Sequence, residues 1–96
     1  MGQVDEDAAF IALSPNRTAV VQRLANGNAI PAQIRNDTGL EYSRITEAAN
    51  ALRDRGLITL LVEEETKRGR LYSLTDRGEA AWEEMVEQNM VDVNGI

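Results

Sequence analysis

The sequence predicts a mainly α-helical domain: a three-helix core, a two- or three-stranded antiparallel sheet ending in a hairpin, and a C-terminal helix. Three observations predict it. Asn36-Asp37-Thr38-Gly39 is a turn cluster between two helix-forming stretches. Residues 41–55 carry Ile45, Ala48, Ala49 and Leu52 at helical spacing, and Gly56 stands where a left-handed stop belongs. Two runs rich in apolar residues, 59–63 and 70–74, then flank a charged tip containing Gly69.

Each element has a local cause. Residues 1–7 are acidic and are expected to fray, and Ala8-Ala9-Phe10-Ile11-Ala12-Leu13 is a short apolar segment of a helical turn or two. Ser14-Pro15 starts the first main helix, with Ser as N-cap and Pro supplying a preset φ at the first helical position. That helix runs to about Ala25, buries Val20, Val21 and Leu24, and ends at Asn26-Gly27-Asn28. Ala29-Ile30 is a short strand. Pro31 opens the second helix, which turns Ala32 and Ile34 inward. After the turn, Leu40 enters the core and the third helix begins. Leu57 and Ile58 follow Gly56 back into the core. The strand at 70–74 is expected to bury Leu71 and Leu74, and residues 64–69 form the hairpin tip. Thr75 caps the last helix, where Asp76 and Glu79 suit the positive end of the dipole. Trp82, Met85, Val86, Asn89, Met90 and Val93 fall roughly on one side of that helix. The expected organisation is an acidic N-terminal extension with a short apolar segment (1–13), a core domain (14–78), and a terminal helix with a frayed tail (79–96).

Composition narrows the function classes. The 96 residues support one domain with one modest core. There is no Cys and no His, which excludes thiolate or imidazole metal ligands, Cys or His nucleophiles and disulfides. No apolar run approaches the ~20 residues of a membrane span, and no signal peptide is visible, so a soluble, cytoplasmic protein is expected. Net charge is −6, yet all ten basic residues lie between Ser14 and Arg77, beside eight acids. The negative excess sits at the two ends: three acids precede Ser14 and five follow Arg77. A local positive face therefore remains available to a polyanion.

Taken in order, the turn, stopped helix, hairpin and capped helix make a winged helix-turn-helix. Three segments carry a resemblance: Ser14-Pro15-Asn16-Arg17, Thr38-Gly39-Leu40 through Gly56-Leu57-Ile58, and Tyr72-Ser73-Leu74-Thr75-Asp76-Arg77-Gly78. The chain resembles the winged helix-turn-helix transcriptional regulators of the MarR and ArsR-like groups, especially small haloarchaeal ones. Nine Arg to one Lys with many carboxylates suits a halophilic archaeal source, or else an ordinary acidic protein from a GC-rich genome. The resemblance implies a sequence-specific regulator that binds double-stranded DNA, usually as a homodimer. ArsR-type metal sensing does not carry over, since its Cys and His ligands are absent.

The site residues it implies are Glu41, Tyr42, Ser43, Arg44, Thr46 and Glu47, at the start of the third helix. Arg44 has the fork that matches guanine O6 and N7; the alternative is an i, i+3 pair with Glu41 or Glu47. Tyr42 and Ser43 stand at the exposed helix start, where Ser43 either reaches DNA or caps the helix. Thr46 suits a thymine methyl or a phosphate. Glu47 departs from relatives that carry a basic residue there; it either accepts from a cytosine amino group or signals lost DNA binding. In the wing, Lys67, Arg68 and Arg70 suit phosphates, or make a charge-balanced hairpin with Glu63, Glu64 and Glu65. Arg35 and Arg53 are further phosphate neighbours.

The Trp82, Met85, Val86 and Met90 stripe either covers the domain's own core or packs on a second subunit, the dimerisation reading, with Phe10, Ile11 and Leu13 able to join it. No cofactor is implied and any effector is unknown. No Gly-rich phosphate loop, nucleophile motif or metal cluster is present, so no enzyme is expected. The rival function is a winged-helix protein-protein interaction module without DNA binding.

Overall fold

A computed structural model describes residues 2–61 and 71–91. Its elements are α1 (Gln3–Ala12), α2 (Pro15–Ala25), α3 (Pro31–Thr38), α4 (Tyr42–Asp54), β1 (Ile58–Leu60), β2 (Tyr72–Leu74) and α5 (Asp76–Glu87). The two strands pair antiparallel, with Ile58 opposite Leu74 and Leu60 opposite Tyr72. Ala29 adds one bridge to Tyr72, the short third strand reduced to a single residue pair.

The caps explain the boundaries. Ser14 Oγ accepts from the Arg17 N–H at 3.1 Å and Pro15 opens α2. Gly39 closes α3 with φ +80°, a left-handed conformation that any L side chain resists. Gly56, also at φ +80°, ends α4 in a Schellman arrangement: its N–H reaches the Arg53 carbonyl and the Leu57 N–H reaches that of Leu52. Leu57 is thereby turned inward and fully buried. Thr75 then binds two elements at once. Its hydroxyl accepts from the Gly78 N–H at 3.0 Å and donates to the Gly56 carbonyl at 2.7 Å.

The core is a single cluster spanning α1 to α5, built from Ala8, Ile11, Val20, Val21, Leu24, Ile34, Ile45, Ala49, Leu52, Leu57, Tyr72, Ala81 and Met85 among others. Three expectations need correction. Residues 3–7 are not frayed: they open α1, which packs along α5 and puts Asp7, Ala8 and Ile11 out of solvent. The first helix thus belongs to the same core as the rest. In β2 the buried residue is Tyr72, at 1% exposure, while Leu71 and Leu74 are only partly buried. Side chains of a strand alternate, so 72 and 74 share a face and 71 and 74 cannot. Each strand has three residues among those described, and residues 62, 63 and 70 of the expected runs lie outside them. Finally, α5 ends at Glu87: Asn89 turns left-handed (φ 58°), and the Met90 N–H closes on the Met85 carbonyl. Asn89 and Met90 therefore lie beyond the helix, and Val93 lies outside the described residues.

Asp7 is the one buried charged residue among those described. Arg77 grips it with Nε to Oδ2 at 2.7 Å and Nη2 to Oδ1 at 2.9 Å, and Arg55 Nε reaches Oδ1 at 2.9 Å. The Arg77 hydrogen bonds, then those of Arg55, hold the Asp7 carboxyl below the usual carboxylate range against the opposing effect of burial. Phe10, one turn on, is flanked by the Arg17 and Arg55 guanidiniums at 4.0 and 4.6 Å from its ring centre. This clamp fastens α1 to the end of α4 and the start of α5.

No helix among the described residues is long and apolar enough to cross a membrane.

Candidate nucleic-acid interface

α3, the Gly39 turn and α4 form a helix-turn-helix. Helix α4 buries Ile45, Ala48, Ala49 and Leu52 against α2 and α3, and the alanines let the helices approach closely. That seating fixes what faces outward. Ser43, Thr46, Glu47 and Asn50 recur at i, i+3, i+4 and i+7 on the exposed side, with Tyr42 and Arg44 flanking. With Glu41, these residues line one open concavity of about 670 Å³. All six residues implied at the start of this helix are exposed and come together there.

The geometry bears on two local alternatives. Glu41, not Ser43, is the N-cap, and it makes no side-chain cap bond, so the first turn of α4 presents N–H groups outward. Among the described residues Arg44 makes no ion pair, with Glu41 and Glu47 included. Asn50 was missed from the sequence, though the same spacing that joins Ser43 to Thr46 and Glu47 reaches it. An exposed Asn side chain can donate to adenine N7 and accept from adenine N6–H in the major groove.

The arginines divide by task. Arg17 donates twice to the Phe10 carbonyl, at 3.0 and 2.7 Å. Arg23 pairs with Asp37 (Nε to Oδ2, 2.7 Å), while Arg55 and Arg77 hold Asp7. Those four hold the fold together. Arg35, Arg44 and Arg53 have no carboxylate partner among the described residues, and all three lie on α3 or α4. Arg35 instead stands 5.2 Å from the centre of the Tyr42 ring. Lys67, Arg68 and Arg70 lie outside the described residues.

The terminal stripe divides between the protomer's own core and its surface. Met85 is fully buried in the protomer's own core, Trp82 and Val86 are half-buried, and Met90 is 40% exposed beyond the helix end. A side chain with no accessible surface adds nothing to contact with a second chain, so Met85 is a core residue rather than part of an outward face. Of the N-terminal segment, Ile11 is likewise buried, Phe10 is half-buried and Leu13 is 80% exposed. Among the described residues no group of three or more Asp and Glu is placed to hold a metal ion.

Five helices around a two-stranded sheet, with the third and fourth in helix-turn-helix order, define a winged helix-turn-helix protein. Comparison with solved structures gives the same answer more narrowly. A MarR family regulator from Neisseria meningitidis superposes with TM-score 0.72 at 28% identity, covering 88% of this chain and 61% of that one. A variant of Lactococcus lactis ZitR in complex with DNA superposes with TM-score 0.64 at 21% identity, covering 79% of this chain and 53% of that one. A possible transcriptional regulator for arsenical resistance matches at TM-score 0.64 and 24% identity, covering 92% of this chain and 90% of that one. The chain carries the MarR-type winged-helix fold, and spans little more than half the length of several of its structural neighbours. A further neighbour is a MarR family transcriptional regulator from Silicibacter pomeroyi. No protein-family model matches the chain, and no curated protein matches it in sequence.

Proposed function

We propose that this protein is a sequence-specific DNA-binding transcriptional regulator that acts as a homodimer, with α4 in the major groove. The observation that carries the reading is the division of the arginines. Carboxylates and carbonyls occupy four of the seven described ones, and the remainder stand on the two helices that this fold turns toward DNA. In a chain of net charge −6, that distribution puts positive charge where a phosphate backbone would run.

In this reading Arg44 reads guanine through a bidentate pair, worth about 1–3 kcal/mol of discrimination. Asn50 addresses adenine, Glu47 accepts from a cytosine amino group, and Ser43 and Thr46 fill the space between. Arg53 lies one turn further along and meets the backbone. The segment carrying Lys67, Arg68 and Arg70 holds the flanking phosphates. Two-fold symmetry then requires an inverted repeat with half-sites about one helical turn, roughly 34 Å, apart. The neighbour solved with DNA supports the polyanion as partner.

The test is fluorescence anisotropy on the duplex upstream of the protein's own gene against a scrambled duplex, from low salt to molar KCl. The expected result is a preference for the native duplex that Arg44→Ala abolishes while the fold is kept. Equal affinity for both duplexes at every salt, with the protein folded, would refute sequence-specific binding. It would leave the protein-interaction module as the better reading.

A further inference from the structure

We propose that Arg35 and Tyr42 act as one unit in which the Tyr42 ring holds the Arg35 guanidinium for a DNA phosphate, making Tyr42 a positioning residue rather than a base reader. This rests on the DNA-binding reading above and assigns a division of labour within it.

The geometry has a local origin. Gly39 at φ +80° ends α3 and folds the chain back, and its N–H occupies the Arg35 carbonyl at 2.8 Å. The last turn of α3 and the first turn of α4 are thus set side by side. Arg35 Cζ then lies 5.2 Å from the Tyr42 ring centre although seven positions separate the residues. Tyr42 remains 48% exposed, and Arg35 is exposed as well.

Three features make this stack a gripping device rather than packing. Stacking uses the flat face of the guanidinium and leaves its N–H edge free to fork onto an anion. The carboxylate nearest to Arg35 in sequence, Asp37, is taken by Arg23 at 2.7 Å, so Arg35 keeps its charge unneutralised among the described residues. The other stacked arginines differ: Arg17 and Arg55 lie on Phe10, but Arg17 donates twice to the Phe10 carbonyl and Arg55 is paired with the Asp7 carboxylate. Arg35 is therefore the stacked arginine with neither a carbonyl nor a carboxylate partner among the described residues. Its position selects the ligand. It stands on the first helix of the helix-turn-helix, the one that crosses the backbone, where contacts go to phosphate and fix orientation without reading sequence. The face of the Tyr42 ring that carries the guanidinium is not open to a base.

The experiment measures the salt dependence of duplex affinity for the wild type, Arg35→Ala, Tyr42→Phe, Tyr42→Ala and the double variant. NMR of the unbound protein records the Arg35 Hδ shifts alongside. Arg35→Ala is expected to lower the magnitude of the slope of log K against log salt by about 0.9, one phosphate, with base preference unchanged. Tyr42→Phe keeps the ring and is expected to bind like the wild type. Tyr42→Ala is expected to weaken binding about two- to five-fold, but only while Arg35 is present, and to remove the upfield ring-current shift of Arg35 Hδ. An unchanged slope in Arg35→Ala, or an equal Tyr42→Ala loss in the absence of Arg35, overturns this proposal and leaves DNA binding standing. No duplex binding by the wild type, with the ring-current shift intact, overturns the parent reading and the phosphate role with it.

Discussion

Replacing Asp7 by Asn removes the charge from the centre of the clamp and keeps the shape. The carboxylate is fully buried and accepts three hydrogen bonds from two guanidiniums. Deleting one partner of a fully buried pair costs about 3–5 kcal/mol, because the other charge is stranded. Here the stranded groups are arginines whose side chains are 34% and 37% exposed, so water recovers part of the loss. The working figure is therefore about 2–4 kcal/mol. That is a large share of the ~5–15 kcal/mol by which small domains are stable, and corresponds to a Tm drop of roughly 10 °C or more. Urea unfolding followed by circular dichroism at pH 7 measures it directly. The pH dependence supplies a second reading. Arg77 and Arg55 depress the folded-state pKa of Asp7, so its stabilisation is complete above the unfolded value of about 3.9 and is lost as pH falls through the lower, folded value. The gap between wild type and Asp7→Asn should thus be widest near neutrality and close in strong acid. An Asp7→Asn protein within about 0.5 kcal/mol of the wild type at pH 7 would refute the clamp as a stabilising element.

Three further outcomes are expected. Gly78→Ala should prevent folding, visible as loss of the cooperative unfolding transition, because a Cβ there would stand 2.0 Å from the Leu57 backbone carbonyl oxygen, which accepts from the Thr75 N–H at 3.1 Å. Thr75→Ala should cost about 2 kcal/mol in chemical denaturation and Thr75→Ser far less, since the hydroxyl both caps α5 and donates to Gly56. Met85→Ala should cost about 2–5 kcal/mol, against under about 1 for Met90→Ala, as measured by thermal unfolding. Comparable losses at both methionines would contradict the placement of Met85 in the core and Met90 beyond the helix.

Much of the candidate interface was legible because its signals are short-range. The outward face of α4 follows from the spacing of Ile45, Ala48, Ala49 and Leu52, and that spacing also implies Asn50, one turn past the residues taken from the resemblance. Which arginines remain available was not legible. Arg53 and Arg55 are near neighbours in sequence, yet one is exposed and the other is bound to Asp7, 48 positions away. How the terminal stripe divides between core and surface was hidden for a related reason. Helical spacing groups Trp82, Met85 and Val86 on one side, but cannot say that α1 packs against it.

What the sequence determined by itself was the order of the elements from α2 onward and those ends that carry a cap or a glycine stop: Ser14 and Pro15 at α2, Gly39 and Gly56 at their turns, Thr75 at α5. A cap or a left-handed glycine acts through bonds to residues three to five positions away, so its effect is written in the immediate neighbourhood. The tertiary structure alone decided that the acidic N-terminal residues are a helix, that Tyr72 and Met85 are core, and that Arg77 serves Asp7 from 70 positions away. A charged segment such as Val4-Asp5-Glu6-Asp7 looks solvated on its own. It becomes structure only when folding brings two guanidiniums to a carboxylate that burial would otherwise leave uncompensated.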